Sequence, residues 1–278
     1  MIFPAITVFA ALIASGRCAA FSRRDATPLS SGSIESYTPY ANFAKAAYCL
    51  RGSQDWDCGD FVGYSPSLTS IVVAHGGIAG EDVFAALQDH SVGQAALNGS
   101  LFPGVGEEVR ARDGFLRAHE SAAEDILEAV EDTIAGTGAA VLTTVGHGLG
   151  SALAEIDAVY LRLNVPFIRM NTITFGKPRV GNAAWSDLVG ANVDSYARIN
   201  NMRDPIPVLP TREAAYEHPT GEVHIVERDK WVTCADNKGR EDEDDEDCTI
   251  RTVPEAAKGE LGHHAGPYGS VFVGDGYC

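Results

Sequence analysis

The chain has 278 residues, of which 45% are hydrophobic and 21% are charged. This composition is typical of a globular protein that buries a large core, in one large α/β domain or two small ones. The formal net charge of −17 argues against nucleic acid as a partner and against adsorption to anionic membranes, since phosphate groups would be repelled. No internal repeat and no Pro/Gly/Ser-rich linker divides the sequence, which favours a single domain.

The first 20 residues are predicted to be a secretory signal peptide. Residues 1–14 are mostly apolar, Cys18-Ala19-Ala20 offers small residues for cleavage, and the segment is too short to span a bilayer. It lacks an early Lys or Arg, so a buried N-terminal strand is the alternative. Arg23-Arg24 would end a short propeptide over residues 21–28, leaving 29–278 as the mature domain. No later apolar run is long enough to be transmembrane, and we expect an extracellular protein.

Predicted strands and helices alternate along the rest of the chain. Apolar, β-branched runs predict strands, and apolar residues repeated at intervals of three and four predict amphipathic helices. In chain order the predicted elements are a strand over 69–75, a helix over 117–134 that stops at Gly136, a strand over 139–145, a helix over 149–163, and strands over 172–175, 196–200 and 222–232, the last an edge strand. This alternation indicates an α/β fold with a mostly parallel central sheet and helices on both faces.

An acidic run, residues 240–247, lies between Cys234 and Cys248. It lacks the spacing of a calcium loop, so a solvated, self-repelling loop is expected rather than a calcium site. Loss of Cys18 with the signal peptide would leave five cysteines, so one thiol is free or pairs between molecules. Cys234 and Cys248 are predicted to close the acidic loop as a disulfide, since the zinc alternative lacks a C-x-x-C or H-x-x-x-H cluster.

The turn between the predicted strand over 139–145 and the helix that follows has an unusual sequence. It reads Gly146-His147-Gly148-Leu149-Gly150, which would be the G-x-S-x-G motif of a nucleophile elbow if residue 148 were serine. In that motif a strand, a sharp turn and a helix lift one side chain to the rim of a sheet. Gly148 has no side chain to lift, so the question is whether the protein is still an enzyme.

Seven segments, in order along the chain, resemble the secreted fungal lipases of class 3 and the related feruloyl esterases. They are the glycine-rich turn and residues 71–75, 113–115, 175–182, 198–201, 204–207 and 264–268. The resemblance covers nearly the whole mature chain and implies the α/β-hydrolase fold. It also implies extracellular action on a lipid or carboxylic ester, with acylglycerols the default ligand, at a lipid–water interface. No cofactor or metal ion is expected.

The resemblance assigns catalytic roles to residues beside the vacated nucleophile position, Gly148. Asp204 takes the place of the triad acid and His264 that of the base, which follow the nucleophile in the chain order of the fold. By that mechanism the acid orients the imidazole, and the imidazole carries the nucleophile's proton. His263 would be a surface or supporting residue. The backbone N–H groups of Ile78 and Leu149 would form the oxyanion hole.

Two departures from the family predict impaired catalysis. Loss of the triad nucleophile at Gly148 costs on the order of 10⁶ in rate in a comparable serine hydrolase. Ile78 replaces the family's threonine or serine, and loss of one oxyanion donor typically costs about 10² to 10³. Ser151, one helical turn past the elbow, is expected to pack as a small residue rather than to attack. Water activated by Asp204 and His264 is the remaining chemical route.

The resemblance also bears on the cysteines. Cys49 would pair with Cys278. The family's short third bridge would join Cys58 to a cysteine three residues later, where this chain has Phe61. Cys58 is therefore predicted to be a free thiol.

The segment 79–92 lies where the family carries its lid. Val83, Phe84 and Leu87 would give it one apolar stripe, as a lid needs at a lipid interface. An ordinary surface helix packed on the core is the alternative.

These observations favour a catalytically impaired lipase-like protein that keeps the Asp204–His264 pair and an acyl-binding pocket. Two alternatives stay open. One is an active lipase or carboxylesterase that uses water or an unrecognised nucleophile, and the other is a non-catalytic interaction or decoy protein whose partner contacts the surface.

Overall fold

The secondary structure is given by a computed structural model, which describes residues 26–49, 60–89, 93–235 and 245–277. The helices are α1 (Ser31–Glu35), α2 (Thr38–Cys49), α3 (Gly80–Gln88), α4 (Asp113–Glu120), α5 (Ala123–Thr137), α6 (Leu149–Asn164), α7 (Ala183–Asn192) and α8 (Thr249–Thr252). The strands are β1 (Thr27–Pro28), β2 (Phe61–Ser65), β3 (Ser70–His75), β4 (Gln94–Ala96), β5 (Arg110–Arg112), β6 (Val141–His147), β7 (Arg169–Phe175), β8 (Ser195–Asn201), β9 (Glu222–Glu227) and β10 (Lys230–Thr233).

Eight strands form one sheet in the order β1-β10-β9-β8-β7-β6-β3-β2, and β4 pairs with β5 separately. The central strands β3, β6, β7, β8 and β9 run parallel. Strand β2 at one edge and strands β10 and β1 at the other are antiparallel. The predicted, mostly parallel sheet is therefore confirmed. The elbow follows β6, which lies inside the sheet between β7 and β3.

The side chains of β3 alternate between two hydrophobic cores on opposite faces of the sheet. Ile71 and Val73 join the larger core, which includes buried residues of helices α3 to α7. Val72 and Ala74 join the other core, together with helix α2 and Tyr268 near the C-terminus. Since successive side chains of a strand point to opposite faces, helices cover both faces, as predicted.

The predicted helix over 117–134 has the wrong bounds. This part of the chain forms two helices, α4 and α5, and the first begins before Arg117. Helix α5 passes Gly136 and ends at Thr137, because Gly138 takes a left-handed conformation with φ +68° and its N–H donates to Ile134 O over 2.7 Å. A glycine in this conformation is a common helix end, and the sequence offered two glycines to choose from.

The predicted edge strand over 222–232 is also wrong. The segment folds as two antiparallel strands, β9 and β10, around a turn at Arg228-Asp229. Strand β9 lies inside the sheet, between β8 and β10. The other predicted strands, and helix α6, are confirmed with ends shifted by at most three residues.

The predicted disulfide between Cys234 and Cys248 is confirmed. With both sulfurs bonded to each other, this pair is not a zinc site. Cys49 is disulfide-bonded, whereas Cys58 and Cys278 lie outside the described residues, so the Cys49–Cys278 bridge and the free thiol at Cys58 stay predictions.

The N-terminal and acidic segments are described only in part. The predicted signal peptide and most of the predicted propeptide lie outside the described residues, but Thr27 and Pro28 form β1 against β10. At the end of the acidic run, Lys230 Nζ lies 2.6 Å from Asp247 Oδ2, and residues 236–244 are not described. Among the helices that the structure describes, none is long and apolar enough to cross a membrane.

Candidate active site

The glycine-rich turn joins β6 to α6 at one residue, Gly148. Its backbone has φ +56° and ψ −122°, a region that residues with a side chain enter only with strain. Neighbouring glycines allow the turn, since a Cβ on Gly146 would lie 2.2 Å from Gly150 O and a Cβ on Gly150 would lie 2.3 Å from His75 O. The backbone thus has the form of an elbow, with a hydrogen atom where a nucleophile would be attached.

Asp204 and His264 form a buried hydrogen-bonded pair beside this turn. Asp204 follows β8, and its Oδ2 accepts a hydrogen bond from His264 Nδ1 over 2.8 Å. Its Oδ1 accepts one from Ile206 N over 2.9 Å. The two side chains are almost completely buried. The carboxylate therefore keeps the proton of a neutral imidazole on Nδ1 and leaves Nε2 as an acceptor.

Gly176 makes room for this pair, a role that the sequence did not reveal. It follows β7 with φ +55°, and a Cβ at this position would lie 2.8 Å from both Asp204 Oδ2 and His264 Nδ1. The run from 175 to 182 supported the resemblance but carried no assigned function. Its first glycine allows acid and base to approach each other.

Substituting Gly176 with alanine is expected to separate Asp204 from His264 and to lower the free energy of unfolding by about 1–3 kcal/mol, from backbone strain alone. The measurement is urea unfolding together with the low-field NMR signal of the His264 Nδ1–H proton, which should disappear. Gly190→Ala in α7 is the matched control, because a Cβ there meets no atom within 4 Å. A low-field signal that survives in Gly176→Ala would contradict this role.

Three further side chains, those of His147, Tyr268 and Tyr48, support His264. Its carbonyl oxygen accepts hydrogen bonds from His147 Nε2 over 2.7 Å and from Tyr268 Oη over 2.9 Å. The rings of His147 and His264 pack against each other at a tilt of 33°, with centroids 4.3 Å apart. Tyr48 Oη donates to His147 Nδ1 over 2.8 Å. Burial, and then the neighbouring His264, hold the pKa of His147 well below its usual range, so His147 is neutral.

Sequence reasoning missed this support because its members are far apart in the chain. Tyr48 lies on α2, 99 residues before His147, and no local pattern links them. His263 was expected to be a surface or supporting residue. Its Nδ1 accepts a hydrogen bond from Arg203 N over 3.2 Å, and its side chain is partly exposed.

His264 Nε2 faces the vacated elbow. A Cβ on Gly148 would lie 2.8 Å from this atom, so the imidazole already occupies part of the space that a serine side chain would need. Within the described residues, Nε2 has no hydrogen-bond partner. The structure therefore brings together Asp204, His264 and Gly148, the three positions predicted to correspond to the catalytic triad.

The remaining candidates flank the same turn. Ser151 is fully buried, and its Oγ donates to Gly148 O over 2.5 Å. It packs as the sequence predicts and does not face the base. Leu149 and Ile78 are partly buried against the larger core. Ile78 follows β3 by three residues and borders the same cavity as His264, but its side chain offers no donor to an oxyanion.

Comparison with known proteins now places the chain in a family. A sequence model of the family described as Lipase (class 3) matches residues 71–214, just over half of the chain. The chain belongs to the class 3 lipase family. Secreted mono- and diacylglycerol lipase LIP1 of Malassezia globosa is 30% identical over 166 residues, which are 58% of this chain and 53% of that protein. Secreted mono- and diacylglycerol lipase MDL3 of the same species is 25% identical over 221 residues, which are 71% of this chain and 72% of that protein.

Solved structures show the fold of this class 3 lipase-family protein. Lipase II from Rhizopus niveus superposes with a TM-score of 0.75 at 19% identity, over 90% of this chain and 99% of that one. The lipase from Rhizopus microsporus var. chinensis gives 0.74 at 22% identity, over 90% and 91%. The α/β-hydrolase fold predicted from the sequence is confirmed.

Helix α3 lies within the segment predicted to be a lid, residues 79–92, and packs against the larger core. Val83 and Leu87 are buried and Phe84 is partly buried. The N-terminus of the helix covers His264, since a Cβ on Gly80 would lie 3.1 Å from His264 Cδ2. The structure thus shows a closed, packed helix, and its opening as a lid stays a prediction.

A cavity of about 340 Å³ lies between this helix, the base and the C-terminal segment. Its wall includes His264, Tyr48 and Ile78, with Leu261 and Val273 among its apolar residues. This volume lies near the lower end of the range for small-molecule sites. The cavity is the candidate pocket for an acyl group.

A second buried ionic cluster supports the loop that leads to Ile78. His75, at the end of β3, lies with Nε2 2.5 Å from Asp157 Oδ2 and with Nδ1 3.0 Å from Asp60 Oδ1. His119 Nε2 lies 2.7 Å from the other oxygen of Asp157. Burial lowers the pKa of His75, but the two carboxylates outweigh burial and raise it to about 10. No sequence pattern indicated this cluster.

The raised pKa of His75 predicts how stability depends on pH. A folded-state pKa above the unfolded value gives stability that is complete below about pH 6.5 and is lost as pH rises toward 10. From pH 6.5 to 8 the free energy of unfolding should fall by up to about 1.4 kcal/mol per pH unit. Urea titrations at pH 6.5, 7.2 and 8 measure this fall. The titrations stop at pH 8 because burial lowers the pKa of Lys177 to about 8. Above that pH, the loss of the Lys177 proton would also change the stability. The fall should be absent in His75→Gln, and an equal fall in that variant would refute the assignment.

Proposed function

We propose that this protein is a secreted lipase homologue that has lost its nucleophile while keeping the rest of the active-site frame. The observation that supports this most strongly is the position of His264 Nε2, buried and 2.8 Å from where a Cβ of residue 148 would lie. The Asp204–His264 pair and the backbone of the elbow are present, but residue 148 has no hydroxyl group for His264 to activate.

The chemistry that the site can perform follows from the proton donors and acceptors that Asp204, His264 and Ile78 provide. Asp204 holds the imidazole tautomer in which Nε2 accepts a proton, as the histidine of a serine hydrolase must. Without a hydroxyl on residue 148, no acyl-enzyme forms at the elbow. Ile78 supplies no side-chain donor where charge would develop on an oxyanion. Catalysis is therefore strongly impaired.

The ligand class is proposed from the relatives and the cavity. The relatives are named as secreted mono- and diacylglycerol lipases, and the matched region spans only about half of the first one. The cavity beside His264 has apolar residues in its wall. We assign it to a lipid or a carboxylic ester that is bound but not turned over. Secretion is supported by the relatives' names and by the disulfide between Cys234 and Cys248.

The test is hydrolysis of p-nitrophenyl butyrate and p-nitrophenyl palmitate by the purified protein. The expected result is a rate within a few-fold of buffer, unchanged by His264→Gln. A rate far above buffer that His264→Gln abolishes would show an active esterase that uses water or another nucleophile, and would overturn the proposal.

A further inference from the structure

We propose that the cavity binds a neutral aliphatic alcohol, or a lipid with a free hydroxyl group, whose O–H donates to His264 Nε2 in place of the missing serine. This inference rests on the proposed function, because it names the ligand class of the same cavity. It goes further by assigning to the ligand the hydrogen bond that a serine hydroxyl at position 148 would donate to His264 Nε2.

The first step is the position of the proton on His264. Its Nδ1 lies 2.8 Å from the carboxylate oxygen of Asp204 and must carry a hydrogen, since a carboxylate only accepts. In the neutral imidazole, Nε2 is then a bare acceptor. His264 is 3% exposed, and among described residues no donor reaches Nε2. A buried acceptor without a donor is unfavourable, so the site favours a ligand that brings one.

The second step is that the nearby hydroxyl groups donate elsewhere. Tyr48 Oη donates to His147 Nδ1, and Tyr268 Oη donates to the carbonyl oxygen of His264. Ser151 Oγ donates to Gly148 O. Since a hydroxyl has a single hydrogen to donate, these three cannot serve Nε2 as they stand. The donor has to come from a water molecule or from a bound ligand, and the apolar wall of the cavity favours the ligand.

The third step separates an alcohol from a carboxylate. A carboxylate would need Nε2 protonated, which places a positive charge on a ring whose centroid lies 4.3 Å from that of His147. Glu81 lines the cavity and would repel an anion, as would the net charge of −17. A neutral hydroxyl needs none of these changes.

The fourth step concerns the rest of the ligand. Ile78, Leu261, Ala265 and Val273 line the cavity and favour an aliphatic chain, because apolar surface gains by leaving water. A molecule with one hydroxyl at the end of an apolar chain fits both the acceptor His264 Nε2 and the apolar wall of the cavity.

The test compares three ligands of equal chain length by isothermal titration calorimetry at pH 8: 1-octanol, methyl octanoate and octanoate. 1-Octanol is expected to bind about 3- to 10-fold tighter than methyl octanoate, the ratio that one net hydrogen bond gives, and octanoate should bind most weakly. Gly148→Ser provides its own hydroxyl and should lose the same factor in affinity for 1-octanol. The neighbouring variant His263→Gln should keep it.

Nitrogen-15 NMR of the unsubstituted protein gives a direct reading. Binding of 1-octanol should shift the Nε2 resonance of His264 and leave Nδ1 nearly unchanged. Tightest binding by octanoate, equal affinity for alcohol and ester, or an unmoved Nε2 resonance would overturn this inference and leave the proposed function standing. If none of the three ligands binds, the acyl pocket itself is refuted, and the proposed function falls with it.

Discussion

Gly148→Ser is expected to turn a silent protein into a measurable ester hydrolase, with kcat/KM on p-nitrophenyl butyrate rising by at least about 10³-fold. The gain follows from what the site keeps. Asp204 and His264 are 2.8 Å apart, and Nε2 points at the position where the serine would be attached. The serine hydroxyl would then meet a base that is already oriented.

The gain should stay below the full factor of about 10⁶ that the triad nucleophile is worth. A Cβ on residue 148 comes within 2.8 Å of Nε2, so the imidazole must retreat by several tenths of an ångström against His147 and Tyr268. The φ of +56° adds strain of about 1–3 kcal/mol to any residue with a side chain. Adding Ile78→Thr to the serine variant should raise the rate further, by about 10²-fold.

Gly148→Ala is the matched control for the serine variant. It introduces the same Cβ, the same contact with His264 and the same backbone strain, but no hydroxyl, so it should be as silent as the parent and lose comparable stability. Equal rates for the alanine and serine variants would show that the elbow does not position a nucleophile, and would contradict the assignment of Gly148.

Lys177→Met should produce the largest loss of stability, about 3–5 kcal/mol. Lys177 Nζ lies 2.8 Å from Glu155 Oε2, with both side chains completely buried. Glu155 also accepts hydrogen bonds from Trp185 Nε1 and Tyr196 Oη. Removing the lysine leaves a buried carboxylate without a compensating charge, whereas removing both charges does not. Thermal and urea unfolding should show Glu155→Gln/Lys177→Met recovering much of the loss.

Lys230→Met serves as the comparison, because its ion pair has similar geometry on the surface. Lys230 Nζ lies 2.6 Å from Asp247 Oδ2, with side chains 42% and 36% exposed. Exposed pairs contribute little, so the unfolding midpoint should barely change. If the two lysine variants lose similar stability, burial is not the source of the effect.

The sequence predicted those features that local patterns carry. Strand periodicity and the glycine-rich turn located the elbow, and the resemblance to the class 3 lipases placed Asp204 and His264 beside it. Errors arose where two signals competed: Gly136 and Gly138 both offered a helix end, and the alternation of β9 continued through its turn into β10. The helix ends at the second of these glycines, and a turn divides the predicted strand in two; the sequence alone does not decide between these choices.

The missed residues have no local signature. Tyr48 meets His147 from a helix on the other face of the sheet, and Asp157 reaches His75 only because α6 crosses β3. Gly176 is one of 29 glycines, and only the structure shows that a Cβ at this position would contact both Asp204 and His264. Contacts of this kind depend on the packed arrangement of distant segments, and they decide how the pair beside the elbow is held.

Strand β1 is only two residues long, yet it covers the outer side of β10. A chain trimmed beyond Pro28 would leave the backbone groups of β10 open to pairing with another molecule. Removal of the predicted propeptide, residues 21–28, would take β1 with it and leave this edge of the sheet exposed to pairing between molecules.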